Sequence, residues 1–285
     1  EADPAVPAEY ASTVPDYARG AVQSTTPAIT FTDVTAASGI DFEHDSGGFG
    51  QKWMPETMGS GVGLFDIDSD GDDDALFVNG TWFSGHEGEG AAPTSALYAN
   101  RGDGFFVEAT AGSGLEVELY GMGVTAADFD ADGVIYLFLT TLGPNLLLRG
   151  TGVMRFEDAT DRAGVAGSRW TDEVGRDHPE WSTAALWADV DNDGWPDRWI
   201  SDLGESRVRQ NAGDGSFVDV TLGLGLEWQS TGTTRAAWGA RWLDADRDGC
   251  VDLAVVLGQL GSPGTDSGPV GAVGDVQRDD LLLGD

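Results

Sequence analysis

Residues 66–74 read DIDSDGDDD, a stretch in which aspartates alternate with other residues until a glycine interrupts them. The same Asp-x-Asp-x-Asp-Gly pattern recurs at residues 128–133, 189–194 and 244–249, so the four copies begin 62, 61 and 55 residues apart. Self-similarity at a nearly fixed spacing is typical of repeat architectures, in which each repeat is one supersecondary unit. The acidic motif therefore divides the chain into four repeats.

The segments on both sides of each acidic motif have the composition of β-strands. The preceding runs are apolar and rich in small residues, at 60–65, 121–127, 182–188 and 236–243. The following runs favour extended backbone, at 75–78, 134–139, 198–200 and 253–257. Each acidic motif is therefore predicted to be a turn between two strands. The small residues suit a first strand that lies nearest a crowded central axis, where bulky side chains cannot all converge.

A second cassette consists of an aromatic residue, any residue, Asp or Glu, a small residue and Thr. It occurs at residues 31–35, 106–110, 156–160 and 217–221. The second and fourth copies follow Asn-x-Gly-Asp-Gly, beginning at Asn100 and Asn211, which indicates a tight turn between strands. Each unit thus reads as four antiparallel strands, and the predicted fold is an all-β propeller of four-stranded antiparallel blades, with four repeat units in this chain.

The two ends of the chain bear on how such a propeller closes. Residues 1–27 are rich in Ala, Pro, Ser and Thr and are predicted to be a tail or linker, whereas residues 28–285 form the propeller domain. Residues 278–285 read as the third strand of the fourth unit, and residues 31–35 could supply its missing fourth strand. The alternative is that these four units are part of a larger propeller. The first residue is Glu rather than Met, so a processed or excerpted product is expected, with any signal peptide already removed.

The spacing inside the acidic motif is that of a chelating turn. Carboxylates at positions 1, 3 and 5 converge, glycine at position 6 permits a sharp bend, position 7 offers a backbone carbonyl and position 9 offers another carboxylate. Oxygen-only ligands favour Ca²⁺ over zinc or copper, and Mg²⁺ demands stricter octahedral geometry. An EF-hand would need Glu at position 12, but that position is apolar in all four copies: Phe77, Leu139, Ile200 and Val255.

The predicted ligands differ slightly between the four turns. They are Asp66, Asp68, Asp70, Asp72 and Asp74 in the first turn, Asp128, Asp130 and Asp132 in the second, Asp189, Asp191, Asp193, Trp195 and Asp197 in the third, and Asp244, Asp246, Asp248, Cys250 and Asp252 in the fourth. Residues 72, 195 and 250 stand at position 7. In the second turn the pattern predicts that two residues are missing after Gly133, and position 9 falls on Tyr136. Three to four calcium ions are therefore expected.

The charge balance narrows the classes of partner. Asp and Glu total 49 against 15 Lys and Arg, which gives a formal net charge of -34, and 35 of the acidic residues are Asp. Such a surface repels phosphate, so nucleic acid is not an expected partner. The single cysteine excludes an intrachain disulfide framework, and no apolar run approaches the roughly 18 residues of a membrane span.

In combination, these motifs and residues 55–61 (PETMGSG) resemble the FG-GAP/VCBS repeat family, in particular its cartilage acidic protein type. The resemblance covers residues 28–285. It implies an extracellular propeller with calcium in the hairpin turns of its blades, as in integrin α-subunit heads. It does not imply one activity, because the family serves adhesion, lectin-like binding, matrix roles and accessory domains of enzymes.

No nucleophile elbow, phosphate-binding loop or zinc-protease motif occurs, so a non-enzymatic function is expected. The leading interpretation is a secreted or cell-surface structural, adhesion or interaction module. Its partners would be an extracellular protein or glycan, or further copies of the chain pairing through exposed blade edges. The alternatives are a lectin-like glycan-binding propeller and an accessory domain of a secreted polysaccharide-active enzyme.

Several smaller features carry weaker predictions. Residues 101–103 spell Arg-Gly-Asp but belong to the predicted Gly-Asp-Gly turn, and Asn79 begins a glycosylation sequon. The three histidines are expected to be hydrogen-bonded structural residues: His44, His86 and His178. Most tryptophans are expected to pack between blades, although some could stack on sugars. They are Trp53, Trp82, Trp170, Trp181, Trp187, Trp195, Trp199, Trp228, Trp238 and Trp242.

Overall fold

The computed structural model describes residues 30–167, 170–171, 177–178, 180–203, 206–224, 235–245, 247–259 and 280–282. The chain divides into two units, Glu1–Val34 and Thr35–Asp285, and all sheets of the described residues belong to the second. The predicted tail at residues 1–27 lies outside the described residues. Within the described ranges, no helix has the length and apolar character needed to cross a bilayer.

Three antiparallel sheets of four strands follow one another along the chain, and in each the strands pair in chain order. The first sheet contains β1 (Val62–Phe65), β2 (Asp74–Phe77), β3 (Ala96–Asn100) and β4 (Phe106–Glu108). The second contains β5 (Gly121–Ala127), β6 (Tyr136–Thr141), β7 (Leu146–Gly152) and β8 (Arg155–Asp158). A two-stranded ribbon of β9 (Trp170–Thr171) and β10 (Asp177–His178) precedes the third sheet.

The third sheet contains β11 (Ser182–Ala188), β12 (Asp197–Asp202), β13 (Arg207–Asn211) and β14 (Phe217–Asp219). A last sheet has three described strands, β15 (Arg235–Leu243), β16 (Asp252–Gln259) and β17 (Asp280–Leu282). The predicted all-β fold of antiparallel repeat units is therefore confirmed at the level of the sheets. The bounds predicted for β5 and β11 coincide with those of the structure.

Helical structure is limited to three short segments of four residues each within the described ranges, α1 (Thr35–Ser38), α2 (Met54–Thr57) and α3 (Thr160–Ala163). The prediction that residues 31–35 form a strand is wrong, since residues 31–34 have no regular structure and Thr35 begins α1. The other three cassettes each supply the fourth strand of a sheet, where they pair with the strand before them.

Successive sheets approach each other most closely at their first strands. The Ser60 hydroxyl donates a hydrogen bond of 2.7 Å to the carbonyl oxygen of Gly121, and the Thr183 hydroxyl donates one of 2.9 Å to that of Ala237. A methyl group on Gly61 would lie 2.9 Å from Cα of Gly123, closer than real side chains approach. The small residues predicted for the first strands are therefore required by close backbone contact.

Apolar side chains fill the spaces between neighbouring sheets. One core cluster joins the first and second sheets through Leu76, Leu97, Leu137 and Leu139, among others. A second cluster, which contains Phe138 and Ile200, joins the second and third sheets. A third cluster, which contains Trp199 and Leu253, joins the third and last sheets. Each sheet is thus packed face to face on the next one in the chain.

A charged side chain lies inside the core between the second and third sheets. Arg198 is fully buried, with its guanidinium carbon 4.2 Å from the ring centroid of Phe138 and 5.0 Å from that of Phe217. Desolvation lowers the pKa of Arg198 to about 9. Desolvation likewise raises the pKa of the buried Asp202 carboxyl to about 6, against the lowering effects of Ser182 and neighbouring arginines.

Candidate metal centres in the four acidic turns

All four acidic motifs are turns between the first and second strands of a sheet, which confirms the predicted hairpin arrangement and excludes an EF-hand. They share one backbone conformation. Position 4 has a positive φ in each: Ser69 (63°), Ala131 (51°), Asn192 (57°) and Arg247 (67°). The glycine at position 6 has φ between 81° and 97°: Gly71, Gly133, Gly194 and Gly249. Glycine adopts this conformation at little cost, which explains its place in the motif.

The carboxylate at position 1 organises its own turn by accepting two backbone N–H groups. In the first turn, Asp66 accepts them from Asp70 and Gly71, each at 3.1 Å. The same pair of bonds forms at Asp128, Asp189 and Asp244, with distances of 2.9 to 3.3 Å. The motif is therefore preorganised by hydrogen bonds that involve only its own residues.

The carboxylate at position 5 accepts the N–H of position 7 in every turn. The distances are 3.0 Å for Asp70 and Asp72, 2.9 Å for Asp132 and Val134, 2.9 Å for Asp193 and Trp195, and 2.8 Å for Asp248 and Cys250. This bond holds the backbone of residues 72, 195 and 250 against the turn. The prediction that their carbonyl groups are ligands stays a prediction.

Position 9 is the most buried part of the motif. Asp74, Asp197 and Asp252 are 1%, 1% and 0% exposed and are the first residues of β2, β12 and β16. Each accepts the N–H of position 2 through Oδ2, from Ile67 at 2.9 Å, Val190 at 2.9 Å and Ala245 at 2.6 Å.

The other oxygen of the position 9 carboxylate reaches the next hairpin. Oδ1 of Asp74 accepts the N–H of Asn100 at 2.9 Å, and Oδ1 of Asp197 accepts that of Asn211 at 2.7 Å. Desolvation raises the pKa of Asp74 and of Asp197, and the charges of the neighbouring aspartates raise it further. The folded chain thus places buried negative charge beside further negative charge, which a cation would offset.

The carboxylates converge closely enough to hold a single ion. Ligand oxygens lie within 4.8 Å of one another in three groups: Asp66, Asp68 and Asp70; Asp128, Asp130 and Asp132; and Asp189, Asp191 and Asp197. Oδ1 of Asp68 and Oδ1 of Asp130 are buried and have no hydrogen-bond partner. A buried carboxylate oxygen without a donor fits a role as a metal ligand. In the fourth turn, Asp246 lies outside the described residues.

The second turn differs by substitution and not by deletion. Tyr136 begins β6 at position 9, just as Asp74 begins β2, so the prediction that two residues are missing is wrong. The Tyr136 hydroxyl donates a 2.9 Å hydrogen bond to Oδ2 of Asp130. Arg149 donates to the Tyr136 oxygen through Nε at 2.9 Å and forms an ion pair with Asp132.

Four residues next to the turns were not predicted from the sequence as part of these sites. Asn100 and Asn211 were identified only as turn residues, although their N–H groups bind the position 9 carboxylates. Arg149 and Gln210 lie on third strands, and their side chains reach Asp132 and Asp191. The repeated Asn before Gly-Asp-Gly is the only sequence signal that could have revealed two of them.

The smaller predicted features fall in different environments. Residues 101–103 lie in the exposed turn between β3 and β4, as predicted. Asn79 is 5% exposed, its Nδ2 donates to the carbonyl of Thr94 at 3.2 Å, and its Oδ1 accepts the N–H of Asp45 at 2.8 Å. This burial argues against glycosylation of the folded chain at Asn79. His86 is exposed, and its ring stacks on that of Phe49 with 3.6 Å between the ring centroids.

The tryptophans divide between core and surface. Trp199 is fully buried, and Trp187 and Trp242 pack against the core clusters between sheets, as predicted for most of them. Trp53 and Trp238 are exposed. Trp228 lies outside the described residues.

The comparisons with known proteins follow the same repeats. Residues 189–255 match the family model of the FG-GAP-like repeat, and this segment contains the third and fourth acidic turns. Cartilage acidic protein 1 of Homo sapiens is 28% identical over an alignment of 177 residues, which covers 57% of this chain and 24% of that protein.

A solved structure is also similar to the chain. It is the V. cholerae biofilm matrix protein Bap1, with 20% identity and a TM-score of 0.31 over 68% of this chain and 34% of that one. The chain thus spans about a quarter of the length of the first relative and about a third of the second. The resemblance predicted from the repeated motifs is confirmed by the FG-GAP-like repeat that residues 189–255 carry.

Proposed function

We propose that this chain is a calcium-stabilised β-propeller that acts outside the cell as a non-enzymatic structural or interaction module. The observation that carries the proposal is the recurrence of one preorganised acidic turn with a buried position 9 carboxylate, at Asp74, Asp197 and Asp252. The FG-GAP-like repeat match and the similarity to cartilage acidic protein 1 support the same proposal.

Calcium would be held by oxygen atoms that the fold already brings together. In the first turn these are carboxylate oxygens of Asp66, Asp68 and Asp70, with Oδ1 of Asp68 lacking any other partner. The buried Asp74 carboxylate would add negative charge next to them. The ion would offset the repulsion among these carboxylates and so tie together the strands on either side of the turn. At a free concentration 100 times the dissociation constant, each such site adds about 2.7 kcal/mol to the free energy of unfolding.

The propeller arrangement is supported by two features of the sheets. First strands of successive sheets are neighbours, and apolar clusters fill the space between one sheet and the next. Blades that converge at their first strands and stack face to face have this packing. Electron micrographs of the chain would show a disc if the four units close a ring, and an open arc if they belong to a larger propeller.

Metal analysis tests the calcium proposal directly. The chain would be stripped with EDTA, dialysed against calcium or magnesium, and analysed for bound metal and thermal stability. We expect at least three calcium ions per chain and a Tm that is higher by several degrees in calcium than in EDTA, with a smaller effect of magnesium. A chain that folds normally and binds no calcium would refute the proposal.

A cleft favours glycan binding as a second candidate function. It has a volume of about 580 Å³, within the range of small-ligand sites, and lies between loops of the first and second sheets. Trp82, Phe83 and Tyr120 contribute aromatic surface to it, and Glu118 and Asp161 contribute carboxylates that could accept hydrogen bonds from sugar hydroxyl groups.

The Tyr120 ring is fixed in this cleft by a 2.5 Å hydrogen bond from its hydroxyl to the carbonyl of Ser46. A glycan array would test the second candidate, with Trp82→Ala as the probe variant and Trp238→Ala, an exposed tryptophan on another sheet, as its control. Sugar binding that only Trp82→Ala abolishes would support a lectin. Absence of binding to any glycan leaves the structural or interaction role as the better assignment.

A further inference from the structure

We infer that the second acidic turn is not a calcium site in the native chain, because the guanidinium group of Arg149 supplies the positive charge there. The inference rests on the proposed function only in its count of ions, which it sets at three. The turn keeps the backbone of the other three, with Ala131 and Gly133 in the same positive-φ conformations, so the difference lies in its side chains.

Arg149 contacts the turn at two points. Its Nη2 is paired with Oδ2 of Asp132, and its Nε donates at 2.9 Å to the hydroxyl of Tyr136. That hydroxyl donates in turn to Oδ2 of Asp130 at 2.9 Å. Arg149 therefore neutralises the Asp132 carboxylate at position 5 directly. It reaches the Asp130 carboxylate at position 3 through the Tyr136 hydroxyl. In accord with this ion pair, the hydrogen bond from Arg149 lowers the pKa of Asp132.

The strand register explains why a cation closes the second turn and neither the first nor the third. Arg149 on β7 stands directly opposite Tyr136, the position 9 residue. Extending the register of the other sheets by one pair places Ala99 and Gln210 at the equivalent position. Ala99 cannot reach the turn, and Gln210 donates to Asp191 but carries no charge. An internal cation is thus available to the second turn alone among these three.

The charges of the turns differ accordingly. The first and third turns each have four carboxylates at positions 1, 3, 5 and 9, whereas the second has three, because position 9 is Tyr136. Arg149 brings the second turn to a formal charge of about half that of the others, so the electrostatic attraction for a divalent ion is much weaker. A phenol hydroxyl that already donates to Asp130 is also a poor substitute for a ligating carboxylate.

One feature of a cage is retained in the second turn. Oδ1 of Asp130 is buried without a hydrogen-bond partner, as is Oδ1 of Asp68 in the first turn. Removal of the arginine should therefore uncover a weak calcium site that the native chain keeps closed.

The test uses Arg149→Gln, which copies the residue found at position 210, with Arg155→Gln on the neighbouring strand β8 as the matched control. In EDTA, Arg149→Gln should lower the Tm by about 2 °C or more, because Asp132 loses its ion-pair partner beside two further carboxylates. Arg155→Gln should leave the Tm unchanged. This arm needs no calcium, and an unchanged Tm for Arg149→Gln would overturn the inference.

Calcium stoichiometry gives the second arm. The native chain should bind three ions and Arg149→Gln a fourth with lower affinity, whereas Gln210→Arg should reduce the count to two. Four ions in the native chain, falling to three in Asp132→Asn, would overturn this inference and leave the proposed function intact. No bound calcium in any variant would refute the proposed function, while the result in EDTA would still decide the role of Arg149.

Discussion

The backbone N–H of Asn211 donates a 2.7 Å hydrogen bond to Oδ1 of Asp197, and the same residue reaches the neighbouring sheet. Its side-chain Nδ2 donates at 2.7 Å to the carbonyl of Phe129, which is position 2 of the second acidic turn. Asn211 therefore links the third turn to the second. The third acidic turn and the second are thus joined by hydrogen bonds of a single residue.

This link predicts a specific loss of stability in Asn211→Ala. The substitution leaves the buried carbonyl of Phe129 without its donor, which costs about 1–3 kcal/mol. Urea unfolding in the presence of calcium would measure the difference. Asn100→Ala is the control, because the Asn100 side chain makes its bond to the carbonyl of Asp73 in an exposed setting and bridges no second sheet. Equal losses in the two variants would contradict the role assigned to the link.

Removal of one buried carboxylate should remove one ion. Asp74→Asn takes a negative charge and a ligand from the first turn, so bound calcium should fall by one per chain and the calcium-dependent rise in Tm should shrink. Asp73→Asn changes the adjacent exposed residue, so it should change neither the amount of bound calcium nor the calcium-dependent rise in Tm. Metal analysis after dialysis, together with thermal unfolding in calcium and in EDTA, would compare them. Normal calcium stoichiometry in Asp74→Asn would exclude position 9 from the cage.

The buried Asp202 carboxyl predicts a pH dependence that is independent of metal. Its pKa is raised from 3.8 to about 6 in the folded state, chiefly by desolvation, so the folded chain binds the proton more tightly than the unfolded chain. The resulting stabilisation is complete below about pH 4 and is lost as the pH rises through 6.

The measurement is the free energy of unfolding in EDTA between pH 4 and 7. Relative to Asp202→Asn, the native chain should lose up to about 3 kcal/mol over this range. Asp103→Asn, in an exposed turn, supplies the baseline for removal of one carboxylate. A difference between native chain and Asp202→Asn that does not vary with pH would show that Asp202 stays ionised throughout.

The close approach of first strands predicts unequal tolerance at two neighbouring glycines. Gly61→Ala would place Cβ 2.9 Å from Cα of Gly123, so the backbones must separate, at a cost of about 1–3 kcal/mol. Gly59→Ala meets no atom within 4 Å and should be close to neutral. Thermal unfolding of the two variants gives the comparison, and a neutral Gly61→Ala would mean that the sheets are free to move apart.

Much of the sheet structure was predictable, because two turn motifs in the sequence mark where neighbouring strands are joined. The acidic motif fixes the end of β5, and the Asn-x-Gly-Asp-Gly sequence fixes the β13–β14 hairpin, whereas β6 begins at Tyr136 and not at the predicted residue 134. The segment at 31–35 was misassigned because its residues match the cassette, although residues 31–34 form no strand and Thr35 begins α1. A strand needs a neighbour for its backbone hydrogen bonds, which local composition does not reveal.

The candidate sites were predictable only in their repeated part. Positions 1, 3 and 5 recur in all four motifs, and the structure brings together three carboxylates in each of the first three turns. The role of Arg149 depends on the register between β6 and β7, which places it opposite Tyr136 across 13 residues of sequence. Such a contact is visible only once the strands are paired.

The connections between the strands of a sheet differ in how much their length varies. The acidic turn has the same length in all four sheets, whereas the connection from the second to the third strand occupies 18 residues between β2 and β3 but only four between β6 and β7. Residues 84–91 of the longer connection are all exposed. Foreign peptides should therefore be accepted at this end of the first sheet without disturbing the acidic turns, so the chain could serve as a scaffold for peptide display.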